Sequence, residues 1–159
     1  MLAICFRYAK DKDEAEDILQ DGFIKAFDKL TDYRFDGSFE GWLKRIFVTT
    51  ALNYYRSNSK MGFKVDFSEI QESYQADEEV VSENSNLSEN ELMGLIQSLP
   101  NGYKMVFNMY VFEDYSHKEI AETLGISENT SKTQLMKARN FLKKGILEKT
   151  TLKKELSFG

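Results

Sequence analysis

From residue 66 to residue 90 the chain has few side chains that could build a core, and this gap governs what can form on either side of it. Ser, Asn, Gln, Asp and Glu dominate the stretch, and residues 65–103 hold nine acidic and no basic side chains. Such a segment cannot bury enough apolar surface to offset the entropy of ordering, so residues 65–90 are expected to form a flexible acidic linker. Two pieces remain, 1–64 and 91–159, each of the size of a small helical domain.

Both pieces carry a helical period. Ala15, Ile18, Leu19, Phe23, Ala26, Phe27 and Leu30 recur at steps of three and four, which predicts a core-facing stripe and leaves Asp17, Gln20, Asp21 and Asp28 to the other side. Thr31-Asp32 and Asp36-Gly37-Ser38 predict loop. A second helix from about Phe39 to Arg56 offers Trp42, Ile46, Phe47 and Ala51 to the core. Past the linker, Leu92, Leu95, Ile96 and Leu99 set a helix closed by Pro100-Asn101-Gly102, and further helices are expected near 103–113, 117–124 and 128–145. No run alternates with the period of a strand. The expected fold is all-α, two small helical domains joined by the linker, and a hydrophobic share of 42% is enough to give each a core.

The second piece contains a more specific pattern. Ser116-His117-Lys118-Glu119 is a capping box, Ile120, Ala121 and Leu124 follow on one face, and Gly125 permits a left-handed turn. Ser127 then caps a helix that carries Thr130, Lys132, Thr133, Gln134, Met136, Lys137 and Arg139. This spacing predicts a helix-turn-helix whose second helix offers polar and basic groups to a DNA major groove, although a plain helical hairpin can share it. The net charge of −5 hides the arrangement that matters: residues 41–65 hold five basic side chains and no acid, and residues 132–154 hold eight basic side chains against Glu148. Two local basic patches suit a phosphate-binding surface, and a solvated helix face gives a similar pattern.

Three blocks then resemble one family. Residues 15–27, Ala-Glu-Asp-Ile-Leu-Gln-Asp-Gly-Phe-Ile-Lys-Ala-Phe, are similar to the core-polymerase-binding helix of the extracytoplasmic-function (ECF) sigma factors. Gly37-Ser38-Phe39-Glu40-Gly41-Trp42-Leu43-Lys44-Arg45-Ile46 with Thr50-Ala51-Leu52-Asn53-Tyr54-Tyr55-Arg56 resembles the helix that melts promoter DNA and reads the minus-ten element. Leu99-Pro100 through Arg139 resembles the minus-thirty-five-reading domain. The resemblance implies that 1–64 is sigma region 2 and 91–159 is sigma region 4 with a basic tail. It implies core polymerase as a partner, through its β′ coiled coil and β flap, with Asp17, Gln20 and Asp21 in contact. It implies Tyr33, Phe35, Lys44, Arg45, Thr49, Asn53 and Arg56 at the minus-ten DNA, duplex and single-stranded, with the loop Arg34-Phe35-Asp36-Gly37-Ser38 capturing a flipped base. At the minus-thirty-five element it implies Lys132, Thr133, Gln134 and Met136 towards bases, beside Thr130, and Lys137 and Arg139 on the backbone. An anti-sigma factor is a further implied partner. Two departures stand out: the chain begins inside what would be the family's first helix, and Thr49 stands where the family usually has Asn.

Catalysis finds little support. One His, one Cys, no glycine-rich phosphate loop and no spaced ligand set leave no active site, so neither enzyme chemistry, metal, cofactor nor small-molecule substrate is expected. Cys5 reads as a buried thiol, and His117, beside a cap, as a surface histidine with ordinary partners. No apolar run reaches a membrane span and the first residues do not read as a secretory signal, which predicts a cytoplasmic protein without membrane insertion. The rival reading is a helix-turn-helix regulator that works without polymerase. It accounts for the second piece but not for the aromatic and basic residues clustered in the first.

Overall fold

The computed structural model describes residues 1–58 and 87–159, so the expected linker lies outside the described residues except at 87–90. The chain divides into two compact units, Met1–Phe63 and Lys64–Gly159. Every regular element among the described residues is a helix, as the periodicity predicts.

In the first unit, α1 (Leu2–Tyr8) packs on both α2 (Lys12–Asp28) and α3 (Phe39–Asn58). Asp11 caps α2 by accepting the backbone N–H of Glu14 at 2.9 Å, and the Glu14 carboxylate accepts the N–H of Lys10 at 2.5 Å. The first bond satisfies a donor that the helix start leaves open, and the second ties down the residue before the cap. The core holds Ile4, Cys5, Tyr8, Ala15, Ile18, Phe47, Val48, Ala51 and Leu52. The crossing of α2 and α3 depends on Gly22, where a Cβ would lie 2.4 Å from Cε1 of the fully buried Phe47.

The apolar stripe of α2 is wider than the face that α1 and α3 cover. Ala15, Ile18, Gly22 and Ala26 point inward, while Phe23, Phe27 and Leu30, which the sequence assigns to the core, are exposed. Phe23 still rests its edge on Phe47, with ring centroids 5.2 Å apart. Phe27 is 73% exposed, because only a little over one side of a helix can face two neighbours.

The second unit holds α4 (Glu89–Ser98), α5 (Asn101–Val111), α6 (His117–Leu124) and α7 (Glu128–Ser157). Capping boxes start both α4, from Ser88 and Glu91, and α6, from Ser116 and Glu119. Gly125 has φ 70°, and its N–H and that of Ile126 both bond to the Ala121 carbonyl, closing α6 and turning the chain into α7. The core gathers Leu95, Leu99, Met105, Val106, Met109, Ile120, Ala121, Leu124, Leu135 and Ala138.

The last helix, expected to stop near 145, runs on to Ser157. Gly145 does not break it, and it lets α7 pack close against α4: a Cβ on it would lie 2.7 Å from Leu95 Cδ2. Further along, Lys153 Nζ meets Glu91 Oε2 at 2.7 Å, which helps hold the Glu91 carboxyl down at about 2. No described helix is long and apolar enough to cross a membrane.

Candidate nucleic-acid interface

On α2, Asp17, Gln20 and Asp21 are all exposed. Positions 13, 17, 20, 24 and 27 step by three and four along one line, so Asp13, Asp17 and Gln20 continue into Ile24 and Phe27, both exposed. The result is a surface stripe that is acidic at one end and apolar at the other. The sequence could not separate Phe27 from the core stripe, since its spacing fits both, and Ile24 became visible only once packing had chosen a side.

The loop before α3 folds into an aromatic cluster. The Tyr33 hydroxyl donates to the Gly37 carbonyl at 2.7 Å, and the Tyr33 ring meets Phe35, Phe39 and Trp42 at centroid distances of 4.7, 5.5 and 5.3 Å. Phe35 stands out twice: it is 83% exposed, and its backbone sits at φ 60°, a left-handed conformation that costs a non-glycine residue roughly 1–2 kcal/mol. Trp42, offered by the sequence to the core, is half-buried in this cluster, whereas Phe47 is fully buried.

Down α3 the candidates sort by face. Trp42, Arg45, Thr49, Asn53 and Arg56 share one line, opposite the buried Phe47 and Ala51. Lys44 is on another side, in an ion pair with Glu40 at 2.8 Å that draws the Glu40 carboxyl below its ordinary value. Thr49 donates its hydroxyl to the Arg45 carbonyl at 2.8 Å and keeps its oxygen lone pairs outward as acceptors.

On α7, Lys132, Thr133, Met136 and Arg139 are exposed, and Thr130 and Lys137 half-buried. Thr130 is engaged with the Ser127 cap, with hydroxyl oxygens 2.8 Å apart. Gln134 does not join the exposed group. It is 3% exposed, in line with Ser131, Leu135 and Ala138 on the buried side, and its Oε1 has no hydrogen-bond partner among the described residues. A polar residue in a polar run reads as surface in sequence, but the helical phase fixed by Leu135 and Ala138 carries Gln134 inward. Gln134, which the sequence places with the exposed residues of α7, is therefore not among them.

Two family descriptions match the two units in turn: sigma-70 region 2 over residues 1–61 and sigma-70 region 4 over residues 89–142. The chain is 30% identical to the RNA polymerase sigma factor SigV of Bacillus subtilis over 140 residues, covering 88% of this chain and 80% of that one. The chain belongs to the sigma-70 family. The ECF RNA polymerase sigma-E factor of Escherichia coli K12 is 33% identical over 142 residues, covering 84% of this sigma factor and 73% of that one, which supports the ECF group. A likeness of fold extends to the sigma factor RpoE of Bartonella quintana, solved in complex with the anti-sigma factor NepR. Its TM-score is 0.59 at 19% identity, covering 92% of this chain and 89% of that one. The helix-turn-helix of this sigma factor falls within the region 4 match, and α7 continues beyond its end at 142.

Proposed function

We propose that this ECF sigma factor binds core RNA polymerase through the outer stripe of α2, opens and reads the minus-ten element with the Tyr33–Trp42 cluster and the α3 line, and reads the minus-thirty-five element with α7. The observation that carries the reading is Phe35, an exposed aromatic ring on a left-handed backbone, supported by Tyr33 at the head of a line of polar and basic side chains. A ring held out at a conformational cost suits stacking of an unpaired base, and duplex binding alone has no use for it. Arg45, Asn53 and Arg56 then follow the strand.

On α2 the acids and Gln20 fit a basic coiled-coil partner such as that of the polymerase β′ subunit, and Ile24 and Phe27 add apolar contact. On α7, Lys132, Thr133 and Met136 face bases, and Lys137 and Arg139 contact phosphates. The second unit also docks the β flap. The protein acts as a cytoplasmic initiation factor with no catalysis of its own, and an anti-sigma factor, the kind of partner with which the Bartonella quintana relative was solved, holds it inactive.

The test is reconstitution. Wild-type chain mixed with core enzyme should direct promoter-specific starts, and Asp17→Ala with Gln20→Ala should weaken capture by core at least tenfold while leaving helicity unchanged, since both residues lie off the core. Tight promoter binding by the chain alone, with no core binding, would instead establish a regulator that works without polymerase.

A further inference from the structure

The chain has a single histidine, and its ring joins three helices. His117 opens α6, and its Nδ1 lies 2.8 Å from Oγ of Ser131, a fully buried residue in the second turn of α7. One face of the ring stacks on Tyr110 of α5, with centroids 4.6 Å apart and planes 22° from parallel. Over the same Tyr110 ring lies the guanidinium of Arg139, 5.9 Å from its centroid. One imidazole thus bonds to the recognition helix and, through Tyr110, shares a platform with an exposed base of that helix two turns on.

Where the bond lands matters as much as its length. Ser131 immediately precedes Lys132 and Thr133, which are exposed one turn into α7, past the exposed Glu128 and Asn129 at its start. Apolar packing under them, from Leu135 and Ala138 against α5 and α6, is non-directional and tolerates small slides and rotations. A hydrogen bond to a buried hydroxyl is directional and fixes both. Contacts to base edges tolerate errors of only about 0.5 Å or 10–20°.

We propose that His117 is a positioning residue for promoter recognition: by bonding Ser131 and stacking on Tyr110 it sets the height and rotation of the first turns of α7, so that Lys132 and Thr133 meet the bases in register. The inference rests on the reading of α7 as the minus-thirty-five helix. Burial favours the neutral ring, Lys132 and Arg139 on α7 favour it further, and Glu128 opposes them. Tyr110 faces the ring from α5. A neutral imidazole can either accept the serine proton or donate its own, so the bond survives in both tautomers.

The experiment uses the full chain assembled with core polymerase, on a promoter fragment located by sequencing the starts that the wild type directs. His117→Phe keeps a ring on Tyr110 and loses the bond. His117→Asn loses the ring and keeps a polar atom near the position of Nδ1. Ser131→Ala removes the other partner. At a temperature where circular dichroism shows all variants folded, His117→Phe and Ser131→Ala should each bind the promoter roughly three- to tenfold more weakly, as one neutral hydrogen bond allows. His117→Asn should recover most of the loss, and the double variant His117→Phe, Ser131→Ala should be no weaker than either single one. On a fragment with a scrambled minus-thirty-five element the differences should vanish. Wild-type affinity for His117→Phe, no recovery by His117→Asn, or multiplying losses in the double variant would each overturn the proposal. If the wild type itself directs no promoter-specific starts, it is the sigma-factor reading that fails, a separate result from any of these.

Discussion

At the residue scale, the side chains that matter most are those whose surroundings differ from what their type suggests. Cys5 is one: burial pushes its thiol up to about 11, so it is held protonated and unreactive at neutral pH. Gln134 is another, polar yet buried. His117 yields a prediction about pH. Its folded-state pKa lies below the ordinary imidazole value of 6.5, so between the two the unfolded chain binds more protons than the folded one. The contribution is therefore fully present above about pH 6.5 and declines as the pH falls through the folded value. Thermal melts of the full chain from pH 7.5 to 5 should show the transition of the second unit falling with acid, and His117→Asn should flatten that slope relative to wild type. An unchanged slope would show that the ring is not the group responsible.

At the element scale, two glycines of similar helical setting should respond in opposite ways. Gly22 lies where α2 crosses α3, and a Cβ there would overlap the ring of Phe47, which is fully buried. Alanine gains about 0.8–1.0 kcal/mol in helix propensity, but overpacking costs about 1–3 kcal/mol. Gly22→Ala should then destabilise the first unit by up to about 2 kcal/mol, and Phe47→Leu in the same chain should relieve part of the loss. Gly94 in α4 has nothing within 4 Å of its would-be Cβ, so Gly94→Ala should stabilise the second unit by up to about 1 kcal/mol. Urea titrations followed by circular dichroism check both signs. Stabilisation by Gly22→Ala would mean that Phe47 can move aside and that the crossing is looser than its geometry indicates.

At the scale of the whole molecule, the proposed function divides the work on DNA between the two units, and damage to each should fail at a different step. Arg139→Ala removes the proposed phosphate contact, so it should weaken closed-complex binding evenly across promoters and reduce the salt dependence by about one counterion. Phe35→Ala removes the proposed stacking platform, worth about 1–3 kcal/mol, and should leave closed-complex binding nearly intact while yielding roughly five- to hundredfold fewer open complexes. Promoter DNA with a pre-melted bubble at the minus-ten element no longer charges the protein for unpairing. It should restore part of the activity of Phe35→Ala and little of that lost by Arg139→Ala, measured as run-off transcript. Equal rescue of both variants would refute this assignment of melting and anchoring.

The sequence by itself determined the all-α class and most helix starts, because period, caps and turn glycines are local: the box from Ser116 to Glu119 and the left-handed Gly125 could be read in a window of a few residues. The family was legible for a related reason, in that three short blocks carry most of the resemblance. Facing was not legible, since it depends on which neighbours arrive. Phe27 and Ala26 adjoin in sequence and both fit an apolar stripe, yet α1 and α3 cover only one of them. Gln134 lies among residues that look exposed until Leu135 and Ala138 commit the helix phase. His117 and Ser131 are fourteen residues apart, and nothing local pairs them. Period is set within one chain segment, whereas partners are set by the packing of several, and only the tertiary structure could decide the latter.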